Sequence, residues 1–93
     1  MMTKTAALRA AQAAVGRPHG HGTSWCLYHP WNDNNIAGPS TEMRGSSYAA
    51  LRQARAERVA ELALALMGVK DANYTIATAG PMSAKAYVEM VLA

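Results

Sequence analysis

The chain contains no phenylalanine, and two tryptophans and four tyrosines are its entire aromatic content. An interior built without the commonest large ring relies on aliphatic and thioether groups, chiefly Leu, Val and the six methionines. The apolar fraction of 51% overstates that interior, because alanine supplies much of it and buries little area. The expectation is modest stability, or stability shared with a second copy in a homodimer.

Other shortages narrow the class further. Cys26 is the only cysteine, so no disulfide forms within the chain and nothing points to an oxidising compartment; a cytoplasmic location is expected. No apolar run is long enough to span a membrane, and Arg9 and Gln12 interrupt Ala6 to Val15, the one stretch that resembles a signal peptide. The acceptor triplet Asn73, Tyr74 and Thr75 would go unglycosylated in such a compartment. Charged residues are sparse at 16%, and nine basic against six acidic side chains give +3, which permits an anionic partner but falls short of a nucleic-acid-binding tail.

Ninety-three residues allow one domain, 1–93, with a single small core. A first helix is predicted from Thr3 as N-cap to just before Gly16, with Leu8, Ala11 and Val15 on one face. Thr23 to His29 alternates as a strand, with Trp25 and Leu27 on one side and Cys26 and Tyr28 on the other. Asn32, Asp33, Asn34, Asn35, Gly38 and Pro39 form a turn-rich connection, followed by a short second strand from Thr41 to Arg44. Ser46 or Ser47 then caps a long helix, about Tyr48 to Met67, that Gly68 ends. Asn73 to Ala79 reads as a third strand with Tyr74 and Ile76 inward, and Gly80 and Pro81 lead into a last helix with Met82, Ala86 and Met90 on its buried side. The predicted architecture is α+β: a two- or three-stranded sheet packed with three helices, the long one central, and a core of Leu27, Val59, Leu62, Leu66 and Ile76.

The long helix carries the feature that bears most on function. At about 100° per residue, Tyr48, Leu51, Val59, Leu62 and Leu66 share a face, and Arg55 projects near its middle with Arg52 close by. An arginine there pairs with a buried carboxylate such as Asp33 or Glu42, lies beyond the edge of the core, or meets a partner. Guanidinium binds carboxylate or phosphate bidentately, so Arg52, Arg55 and Arg58, with Arg44 and the exposed anchor Trp31, are the candidate partner-binding residues. The alternative is structural, with arginine stems lying along the apolar face and their heads in water.

Other constellations fit chemistry poorly. His19, His21, Cys26 and His29 are the residue types zinc prefers, but on a regular strand Cys26 faces away from His21 and His29, so no metal site and no cofactor are expected. The same geometry separates Cys26 from His29 as a nucleophilic pair. Gly16, Gly20 and Gly22 lack the lysine of a phosphate loop, and Glu57 and Glu61 read as a solvated pair one turn apart. No catalytic residue is assigned, and the chain is expected not to be an enzyme.

The segment Gly38 to Gly68, GPSTEMRGSSYAALRQARAERVAELALALMG, resembles small proteins of temperate bacteriophages from high-GC proteobacteria and covers about a third of the chain. The resemblance carries no functional residue over. It implies a class: phage accessory proteins of this size, anti-CRISPR proteins among them, often bind and block a host machine as single domains. Many anti-CRISPR proteins are acidic mimics of nucleic acid, a pattern from which this basic chain departs. The expected function is therefore a non-enzymatic interaction protein in the host cytoplasm that inhibits a host protein or nucleoprotein complex. A small nucleic-acid-binding protein is the first alternative, and a metal-dependent enzyme or metal-binding domain the second.

Overall fold

The computed structural model describes the backbone of residues 2–15, 18–21, 24–27, 44–45 and 48–93, and the side chains of 2–15, 49 and 52–93. Among the described residues four helices pack together: α1 (Lys4–Ala14), α2 (Tyr48–Leu66), α3 (Asn73–Thr78) and α4 (Ala84–Leu92). The expectation of α+β architecture, with three helices on a sheet, is corrected to a small helical domain. No residue of the described core lies in a strand: Ala7, Ala11, Val15, Val59, Ala60, Ala63, Leu64, Ala72, Ile76, Tyr87 and Val88 all belong to the helices or their connections. Among the described residues, strand pairing is limited to short antiparallel contacts of Pro18–His21, Ser24–Leu27 and Arg44–Gly45, whose side chains, that of the expected core residue Leu27 included, lie outside those described.

Local chemistry sets the helix ends. The Thr3 hydroxyl accepts the Ala6 N–H at 3.2 Å, satisfying one of the donors that the first turn of α1 leaves without an intrahelical partner. Val15 ends that helix in an extended conformation, its N–H still reaching the Ala11 carbonyl at 3.0 Å. At the end of α2, Gly68 takes φ 82°. Its N–H donates to Ala65 at 3.0 Å and that of Val69 to Leu64 at 2.8 Å, the paired bonds of a Schellman motif, and Val69 packs against the core that contains Leu64. A β-carbon at this left-handed position is strained. Gly68→Ala is expected to cost about 1–2 kcal/mol, read as a lower urea midpoint with an unchanged m-value.

α2 is the hub on which α1, α3 and α4 pack. Its buried residues are Val59, Ala60, Ala63 and Leu64, with Ala56 and Met67 partly buried beside them. This stripe is turned by about 100°, one residue step, from the leucine-led face that the sequence suggested. Leu62 and Leu66 are therefore only half-buried, on its flank. Alanine explains the rotation: α1 presents Ala7, Ala11 and Ala14, and small side chains on both helices let the backbones approach until nothing is exposed between them.

The expected strand over Asn73 to Ala79 is instead α3. Tyr74, Thr75, Ile76 and Thr78 suit a strand by propensity, but a strand needs a partner ladder, whereas a helix satisfies its own backbone. Ile76 donates to Ala72 at 3.0 Å, and the Thr78 hydroxyl donates back to the Tyr74 carbonyl at 2.8 Å. Ile76 is fully buried, as expected; Tyr74, expected inward, is 79% exposed.

α4 begins at Ser83, whose hydroxyl accepts the Ala86 N–H at 3.1 Å. Its fully buried residues are Tyr87 and Val88, while Met82, Ala86 and Met90, the expected inner side, are half-buried. The spacing of Ala84, Tyr87, Val88 and Val91 was the truer amphipathic signal.

Candidate interaction surface

The first half of α2 carries the three arginines singled out from the sequence, and the fold gives each a different setting. Arg52 is exposed. It lines a groove of about 380 Å³ with Ala49, Gln53 and Ala56 on α2 and with Met82 and Ser83 at the start of α4. Its lining combines small or apolar side chains with polar and cationic ones, a combination suited to an extended segment carrying a carboxylate.

Arg55 is half-buried, and its Nη2 donates to the Gln12 carbonyl at 3.1 Å. Gln12 lies in the last turn of α1, where carbonyls lack intrahelical donors and the helix dipole is negative. A guanidinium reaching across from α2 thus helps close the end of α1. This partner was absent from the sequence reading, which weighed carboxylates, solvent and a binding partner, because a carbonyl acceptor leaves no mark in the amino-acid sequence.

Arg58 is half-buried and lies close enough to Glu61 to favour its ionised form. Burial nevertheless dominates at Glu61 and pushes its carboxyl above the ordinary value, with the negative charge of Glu57 adding to the rise. Glu57 itself accepts from Gln53 Nε2 at 3.3 Å. The two glutamates are thus half-buried rather than the solvated pair expected. A carboxyl whose pKa is raised by folding contributes most to stability below its unfolded value of 4.5, and that contribution is lost as pH rises through the folded value. Glu61→Gln is accordingly expected to raise the melting temperature at pH 7, with the gap to the parent closing as pH falls through the raised folded value towards 4.5.

Beneath the groove lies a network that the sequence reading missed. The fully buried Tyr87 hydroxyl donates to the Gly80 carbonyl and accepts from Gln53 Nε2, joining α2, α4 and the turn before α4. Gln53 therefore uses its amide hydrogens on both Tyr87 and Glu57, which holds this wall of the groove in place. Lys4 Nζ pairs with Glu89 at 3.1 Å and ties α1 to α4; with both side chains nearly half exposed, this pair adds at most about 1 kcal/mol.

Trp31 lies outside the described residues, and so does the side chain of Arg44; neither is placed relative to Arg52. The His19, His21, Cys26 and His29 side chains likewise fall outside them, and no group of three potential metal ligands occurs among the described residues. Also among the described residues, no helix is long and apolar enough to cross a membrane. No family model, curated protein or solved structure matches the chain.

Proposed function

We propose that this chain is a non-enzymatic interaction protein that occludes part of a larger protein assembly, and that the Arg52 groove receives an acidic segment of that partner. The observation that carries the reading is the position of Arg52, an exposed residue, along a groove whose wall is braced by part-buried hydrogen bonds. A braced wall lowers the ordering cost of binding, and a charged residue along it gives the contact direction. Arg58, Arg44 and Trp31 extend the proposed contact on the sequence argument alone, while Arg55 acts chiefly by fixing α1. In the setting implied by the Gly38–Gly68 resemblance, the partner is a bacterial defence complex and the effect is stoichiometric inhibition.

The test is quantitative capture from a bacterial host lysate with the parent and with Arg52→Glu. A stoichiometric partner is expected, with affinity falling by about 10- to 100-fold in the variant, the equivalent of one charge-assisted contact. Retention of the parent's helical circular-dichroism signal by the variant at the assay temperature separates loss of the contact from loss of the fold. Partner capture indifferent to Arg52→Glu would remove the groove from the contact. Binding to generic duplex or single-stranded DNA that weakens steeply with salt would replace this reading with the nucleic-acid one.

A further inference from the structure

Four carboxylate side chains fall among the described residues, and three are engaged: Glu57 with Gln53, Glu89 with Lys4, and Glu61 half-buried beside Arg58. Asp71 is the exception. It is exposed and makes no side-chain hydrogen bond or ion pair among the described residues, and its exposed neighbour Lys70 forms no bridge to it. Its backbone is unusual as well, at φ 63°, a left-handed conformation that aspartate and asparagine tolerate better than other residues with side chains. With Asn73 and Tyr74 it lines a concave patch of about 290 Å³, and the Tyr74 ring is 79% exposed.

An uncommitted carboxylate, an amide and an open aromatic face form a complementary set for one chemical group. A guanidinium is planar, can accept stacking from a tyrosine face and donates in parallel to both oxygens of a carboxylate. An ammonium is a compact, more strongly hydrated charge that uses the ring and the carboxylate less well together. The negative charge of the patch is that of Asp71 alone, acting locally against the chain's net +3 and the neighbouring Lys70, so it suits a single cationic side chain rather than an extended basic segment. We infer that Asp71, Asn73 and Tyr74 form a docking site for an arginine side chain of a protein partner. The site follows the C-terminal end of α2, whereas the Arg52 groove lies on its first half, so the inference stands whether or not that groove is used.

The experiment titrates the full ¹⁵N-labelled chain with N-acetyl-argininamide and, separately, with N-acetyl-lysinamide. Saturable shifts at the amides of residues 71–74 are expected with the arginine ligand, and a several-fold weaker response with the lysine one. Asp71→Asn keeps a residue that tolerates the left-handed backbone and should weaken arginine binding about tenfold. Tyr74→Ala should weaken it about threefold through loss of the ring face. Both positions are exposed, so spectra elsewhere in the protein should be preserved. Absence of shifts at these amides, an equal response to the lysine ligand, or arginine binding unaltered by Asp71→Asn overturns the proposal.

Discussion

Leu64→Ala is expected to remove about 2–5 kcal/mol of stability, the range for truncating a fully buried leucine whose surroundings relax incompletely. Leu64 has no exposed surface and sits where α2 meets the rest of the core, and its carbonyl also receives the Val69 N–H. At this size each kcal/mol moves the melting temperature by about 4–8 °C, so the change is large in a thermal circular-dichroism melt. Leu66→Ala is the matched control. Leu66 is half-buried and flanks the stripe, so part of its area is in water already and the loss should be clearly smaller. Equal losses at Leu64 and Leu66 would restore the leucine-led face of α2 and refute the alanine-led one.

The second large effect is at Tyr87, where truncation and hydroxyl removal separate two contributions. Tyr87→Ala should cost about 3–5 kcal/mol, as for other large buried rings, and Tyr87→Phe only about 0.5–1.5 kcal/mol for each hydrogen bond lost. The phenylalanine variant retains the packing while releasing Gly80 and one hydrogen of Gln53. Gln53 still reaches Glu57, and Gly80 is exposed and able to bond water, so neither group is left buried without a partner. Chemical denaturation of both variants checks the split; a Tyr87→Phe loss as large as that of Tyr87→Ala would mean that the polar network, rather than the ring, holds α4 on α2.

The candidate site was legible in unequal parts. The arginine cluster on α2 stood out because charge inside an apolar periodicity is conspicuous in any sequence. Its division of labour did not: the Arg55 acceptor is a backbone carbonyl 43 positions away, and the Arg52 groove exists only because Met82 and Ser83 return to the first half of α2. Tyr74 was placed inward, and Asp71 beside it drew no notice, for a related reason. In a strand Tyr74 would have faced inward with Ile76, and only the helical turn of α3 puts the two on different sides.

By itself the sequence determined where α1 begins and where α2 ends. Thr3 as a cap and Gly68 as a left-handed terminus act through bonds between near neighbours, so their effect is written within a few residues of where they stand. The lack of phenylalanine and the abundance of alanine also announced a shallow core. Only the tertiary structure decided which face of α2 is buried, that Asn73–Thr78 is a helix, and that the described core contains no strand residue. Those outcomes depend on the shape of whatever packs opposite. A leucine outranks an alanine in hydrophobicity, but two alanine-faced helices approach closely enough to exclude all water between them, and that close fit turns α2 by one residue step and leaves Leu62 and Leu66 at its edge.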